Sequence, residues 1–125
     1  MEVYKLNGKT YPCSTTVTMD YIGGKWKTVI LWYLSISPHR FSELRKKLMM
    51  VTERTLSLQL KQLVEDGLVN RKVYTKKAPM KVVYSLTEFG ESLIPLLKVL
   101  SDWGDEVIKE KGEVVHTDSV VTSML

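Results

Sequence analysis

Two amphipathic segments joined by a brief turn constrain this chain more than any other feature. They lie between Arg40 and Arg71, in RFSELRKKLMMVTERTLSLQLKQLVEDGLVNR. Leu44 and Leu48 fall four apart, and Leu56, Leu60, Leu63 and Val64 recur at helical spacing, so the segment predicts two helices with a turn at Met49–Val51. That is the pattern of a helix-turn-helix. Thr52 offers a hydroxyl to the first backbone N–H groups of the second helix, and Asp66-Gly67 ends it, because glycine tolerates the left-handed conformation past a helix terminus. At roughly 100° per residue, Arg54, Thr55, Leu58, Lys61 and Gln62 project away from the Leu56/Leu60/Leu63 seam. This face, with Thr52 at its start and expected to carry hydrogen-bonding and cationic groups and no acid, suits the base edges and phosphates of a major groove. A solvated helix face of ordinary kind has the same pattern.

Charge supplies a second argument. From Arg40 to Lys81 eleven bases face four acids, a local net charge of +7 in a chain whose total is +4, so the remainder carries −3. Segregation of this kind favours a polyanionic partner over a surface that is merely soluble. After Gly67 come two runs of strand-forming residues, LVNRKVY and MKVVYSL, around Thr75-Lys76-Lys77-Ala78-Pro79. They predict a hairpin, a basic wing whose Arg71, Lys72, Lys76, Lys77 and Lys81 would lie along phosphates beside the groove. Lysines that keep a sheet edge from aggregating would look the same.

The rest of the chain frames this unit. Its 125 residues, 44% of them apolar with seven glycines and four prolines, suit one packed domain, with a core over 12–111 and a tail over 112–125 that shows no period. Met1–Tyr11 alternates weakly around Asn7-Gly8 and reads as a short arm or strand. Pro12-Cys13-Ser14 opens a first helix with Val17, Tyr21 and Ile22 on its apolar side, ended by Gly23-Gly24. Lys25–Ser35 is expected to form a second helix at the centre of the core, and Ser37-Pro38-His39-Arg40 a turn. Thr87 would cap a long C-terminal helix that Pro95 bends or divides near Glu91–Ile94. Leu97, Leu100, Trp103 and Val107 give that helix more apolar surface than a small core absorbs, which points to a dimer.

Other classes find less support. One cysteine and two distant histidines, His39 and His116, form no metal-ligand spacing, so neither a metal nor another cofactor is expected. The longest strictly apolar run, Val29–Leu34, is too short to cross a bilayer, and the polar start lacks the apolar centre of a signal peptide. The expected location is cytoplasmic. An enzyme using Cys13 as nucleophile would need a positioned base, for which neither histidine has an evident acid partner. A winged helix used for protein contacts alone would keep the core pattern but leave the basic segment without a purpose.

The ordered set of Cys13, IGGKW at Ile22–Trp26, RFSELRKKL at Arg40–Leu48, TLSLQLKQLVEDGLVNR, VYSLTEFG at Val83–Gly90 and DWG at Asp102–Gly104 spans nearly the whole chain. In that order and spacing it resembles the HxlR-type branch of winged-helix transcription regulators, related to the MarR group. The resemblance implies a mainly α fold with a β-hairpin wing, an α+β winged helix-turn-helix flanked by N- and C-terminal dimerisation helices. It also implies a homodimer on palindromic double-stranded DNA, no enzymatic activity, and dimer contacts from the first and last helices, here Val17, Tyr21, Leu97, Leu100, Trp103 and Val107. Leu58, Val64 and Ala78-Pro79-Met80 depart from the family pattern. Leu58 either touches a thymine methyl or packs against the wing or another helix, with the packing role slightly favoured.

Cys13 stands where similar regulators carry a thiol that senses electrophiles or oxidants. A cysteine at a helix start gains thiolate character from unpaired N–H groups, and Lys9 and Lys25 would add to it if they folded nearby. A small buried hydrophobe at the dimer interface is the competing role. Without a second cysteine, any disulfide would join two subunits or a small thiol.

Overall fold

The structure is a computed structural model, and it describes residues 2–115. At its N-terminus β1 (Tyr4–Leu6) and β2 (Lys9–Tyr11) pair antiparallel. Asn7 and Gly8 both take positive φ, 51° and 78°, the combination that a two-residue turn needs if it is to match the twist of its strands. The expected arm is therefore a complete hairpin. Tyr11 then anchors it, donating its hydroxyl hydrogen bond to Asp20 of α1 (Ser14–Ile22).

Helix α2 (Lys27–Ile36) runs through the centre, as its apolar sequence predicts, although it starts two residues later than expected, after Gly24 at φ +104°. Ile30, Leu31 and Leu34 are buried against α3 (Phe41–Lys47), α4 (Glu53–Glu65) and α6 (Ile94–Lys111) through Leu44, Leu56, Leu60, Leu63 and Leu97. Each such leucine contributes about 1.5–3 kcal/mol by leaving water. This seam therefore fixes the angle between the two helices of the central motif. The turn between them is held from the side as well, since Leu48 accepts from the Val51 N–H (3.1 Å) and the Arg45 guanidinium donates to the Val51 carbonyl. Arg45 thus serves the turn.

The residues before α3 correct the sequence expectation. His39–Arg40 is not only a turn but a two-residue strand, β3, and it pairs with β5 (Lys81–Leu86), which also pairs with β4 (Val69–Thr75), in the order β3-β5-β4. His39 is 2% exposed and fully engaged. A carbonyl only accepts and an ammonium only donates, so its Nδ1–H donates to Ser37 O (2.7 Å) while Nε2 accepts from Lys47 Nζ (2.6 Å). The imidazole ties the strand to the end of α3.

Thr87 caps a helix, as expected, and Pro95 sits just inside the next one, so the C-terminal helix is divided. The short piece is α5 (Glu88–Glu91). Thr87 Oγ1 accepts from Gly90 N–H (2.9 Å) and donates to Gly67 O (2.6 Å), while Thr87 N–H donates to Leu68 O (3.1 Å), stitching α5 to the turn between α4 and β4. Beyond Ser101 most of α6 is exposed, so its second half stands clear of its own protomer. Residues 112–115 take no regular structure, and the rest of the tail, with His116, lies outside the described residues.

Candidate nucleic-acid interface

Helix α4 begins as the sequence indicates. Thr52 Oγ1 accepts from the Thr55 N–H (3.1 Å) and its hydroxyl lies 2.9 Å from Thr55 Oγ1, so both threonines are engaged in the cap first. Arg54, Leu58 and Lys61 are exposed along one stripe, and Ser57 joins them, while Thr55 and Gln62 are half-buried at its flank. Leu58 is 51% exposed and so is not buried against the wing or another helix of its own protomer. The face is also not free of acid. Glu53 sits beside Arg54 in the first turn, where a carboxylate complements the partial positive charge of a helix N-terminus.

Between α4 and the wing lies an open cleft of about 780 Å³. Arg40 and Ser42 line it from the start of α3, Glu53, Arg54 and Ser57 from α4, and Arg71, Met80, Val82 and Tyr84 from the wing. Three arginines from three elements thus line one groove. Arg40 is held there by its backbone, since its N–H donates to Glu43 Oε1 (2.7 Å), and that bond keeps the Glu43 carboxyl below the usual carboxylate range. Arg40, Ser42 and Ser57 were missing from the candidates of the sequence. Ser57 alone had a local signal, lying three residues after Arg54 on the same helical stripe.

Of the wing candidates, Arg71 faces the cleft and Lys72, Lys76, Lys77 and Lys81 are exposed on or near the hairpin. Tyr74 organises two of them, with Lys72 Nζ 4.9 Å and Lys81 Nζ 5.2 Å from its ring centroid. Among the described residues the one ion pair joins Lys9 to Asp20 (3.7 Å). The bases of α4 and the wing therefore keep their charge for an external anion.

Cys13 caps α1 and is exposed, not buried. The Thr15 hydroxyl lies 2.9 Å from its Sγ, and that hydrogen bond, followed by the backbone N–H of Thr16, holds the thiol pKa below its ordinary value. Lys9 and Lys25 play no part in this. The first pairs with Asp20 and the second lies over the Trp26 ring, 5.2 Å from its centroid.

The expected dimer residues divide into three groups. Leu97 is 4% exposed and belongs to its own protomer's core, so it is no partner contact. Tyr21 is half-buried and meets Phe89 edge to face, with centroids 5.5 Å apart, and Val17 and Val107 are also half-buried. Leu100 and Trp103 are exposed, Trp103 at 72%, and Val99 is exposed beside them.

The HxlR-like helix-turn-helix family profile matches residues 21–112. The chain belongs to this family. The HTH-type transcriptional regulator YdeP of Bacillus subtilis strain 168 is 47% identical over 94 residues, which cover 75% of this chain and 73% of YdeP. Among solved structures, the redox regulator HypR in its reduced form is 41% identical with a TM-score of 0.72, over 76% of this chain and 93% of HypR. Reduced YodB, a transcriptional regulator from B. subtilis, is 29% identical with a TM-score of 0.65, over 75% of this chain and 92% of YodB, and a diamide-treated form of YodB also matches. This HxlR-like protein is a winged helix-turn-helix transcriptional regulator. Among the described residues no helix is long and apolar enough to cross a membrane.

Proposed function

We propose that the protein binds palindromic operator DNA as a homodimer, each protomer placing α4 in the major groove of one half-site. Arg54 and Leu58 read base edges, Lys61 lies nearer the backbone, and Thr55 and Gln62 border the contact. The observation that carries this reading is the cleft where Arg40, Arg54 and Arg71 meet, with no carboxylate among the described residues in ion-pairing range of any of them. A phosphodiester backbone running between α4 and the wing would meet Arg40 and Arg71, which fixes register and leaves Arg54 and the exposed face of α4 to specify sequence. The wing lysines extend the same contact. A protein that acts in this way on chromosomal DNA works in the cytoplasm.

The dimer follows from α6. An 18-residue helix is about 27 Å long, and Val99, Leu100, Trp103 and Val107 lie along one side of it, the first three exposed and Val107 half-buried. A second copy covers that surface and supplies the second recognition helix that a palindrome requires. Regulation enters at Cys13, whose exposed thiolate is the group that thiol-reactive electrophiles and oxidants attack. It does not line the cleft beside α4, so an adduct acts by changing how the two protomers sit, and with them the spacing of the recognition helices.

Salt dependence separates this reading from a winged helix that contacts only proteins. Operator affinity falls linearly with salt on a logarithmic scale, because each neutralised phosphate releases counterions. Changing Lys76→Ala and Lys77→Ala together flattens that slope by about 1–2 and weakens operator and random duplex alike. An unchanged slope removes the wing from the interface, and no measurable slope in the wild type refutes DNA binding through this face.

A further inference from the structure

We infer that the cavity between α2 and α6 is a binding site for a small, uncharged, planar aromatic molecule, distinct from Cys13 and from the DNA cleft. The cavity holds about 330 Å³, within the range of small-molecule sites and enough for one or two fused rings. Trp32 and Tyr33 line it from α2, Leu97 closes it within the core, and Leu100 stands at its side on α6. Trp32 is 41% exposed, so a large aromatic group is left partly in water where an occupant would cover it. Polarity is confined to hydroxyls. Thr28 offers one from α2 and Ser101 one from α6, and among the described residues no charged side chain lines the site. An ionised ligand would therefore lose its hydration without a counter-charge, whereas a neutral ring bearing a hydroxyl or carbonyl finds aromatic walls and hydrogen-bonding partners.

The site also has a physical route to the DNA face. Tyr33, one of its walls, carries Lys47 Nζ 5.5 Å from its ring centroid and meets the His39 ring at 6.3 Å. Lys47 ends α3, and His39 pairs with Tyr84 of β5 and precedes Arg40 of the cleft. A ligand that binds one position of Tyr33 better than another biases the seating of α3 against the wing, to the extent of that difference in affinity. This second step rests on the DNA-binding reading. The existence of the site does not.

The test is calorimetric titration of the reduced full chain, without DNA, using 2-naphthol as probe and 2-naphthoate as its charged counterpart, with sedimentation of the same samples. One 2-naphthol binds saturably per protomer, and 2-naphthoate binds at least about tenfold more weakly. Ser101→Phe, a change at an exposed position that fills the cavity, abolishes binding while the mass in solution stays that of the wild type. Thr28→Val weakens it about threefold to tenfold through one lost hydrogen bond. Absence of a saturable signal, equal binding of the two probes, or binding untouched by Ser101→Phe each overturns the proposal. If Ser101→Phe abolishes both binding and the dimer, the cavity belongs to a side chain of a second copy and the proposal again fails. Because DNA is left out, a failure of operator binding would not alter any of these readings.

Discussion

Replacing Gly90 by alanine sets two effects of opposite sign against each other, and the structure decides between them. In a helix interior the exchange stabilises by up to about 1 kcal/mol, since alanine has less backbone entropy to lose. Gly90, however, is buried with its Cα against the backbone of Leu68. An added Cβ would stand closer than 3.0 Å to the Leu68 carbonyl oxygen and 3.1 Å from its carbon, and neither atom is the flexible end of a side chain. Relieving that overlap costs about 1–3 kcal/mol as overpacking. It also pulls α5 away from the Thr87 N–H bond to the same carbonyl, at about 1 kcal/mol more. The net expectation is destabilisation by about 1–3 kcal/mol. Gly67→Ala provides the contrast, because open space surrounds that position and only its φ of +78° resists a side chain, for a cost of about 1–2 kcal/mol. Urea unfolding followed by circular dichroism at one fixed protein concentration compares both with the wild type, since a dimer's stability depends on concentration. A Gly90→Ala protein as stable as the wild type, or more so, would refute the close approach of α5 to the α4–β4 turn.

Thr15→Val removes the hydroxyl that favours the Cys13 thiolate, so the pH at which iodoacetamide labelling of Cys13 reaches half its maximal rate moves upward from a wild-type value below that of an ordinary cysteine. Because the folded pKa is the depressed one, the thiolate's contribution to stability is present above the unfolded-state pKa and is lost as pH falls through the folded value; superimposable labelling profiles for the two proteins would contradict the assignment. Trp103→Ala removes a ring that its own protomer barely touches, so the monomer keeps its secondary structure while dimer affinity, read by analytical ultracentrifugation, falls by about 2–4 kcal/mol. Unchanged dissociation would move the interface away from α6.

Local signals were read well from the chain. Thr52, Thr87, Gly67 and Asn7-Gly8 act through bonds and dihedrals within a few residues, and all four occur where composition alone indicates a cap or turn. Helical periodicity also found α2 as the core helix and the leucine seam of α4. It could not separate the two apolar faces of α6, because Leu97 and Leu100 are three residues apart and both fit a stripe, yet one enters the core and the other meets solvent. Arg40 escaped notice as a cleft residue for a different reason. Its position depends on β3 pairing with β5 some forty residues later, and a two-residue strand has no periodicity to detect. The supposed support of Cys13 by Lys9 and Lys25 failed similarly, since closeness in sequence did not decide which way those side chains turned.

The most direct test of the central claim compares Arg54→Ala with the wild type on the operator and on a random duplex of equal length at one salt concentration. Arg54 is exposed on α4 and lines the cleft, so a base contact there is worth about 1–3 kcal/mol of discrimination. The account predicts that the variant loses about that much on the operator and much less on random DNA, so that its preference between the two collapses. Equal losses on both duplexes would make Arg54 a phosphate contact, and no loss on either would contradict the placement of α4 in the groove.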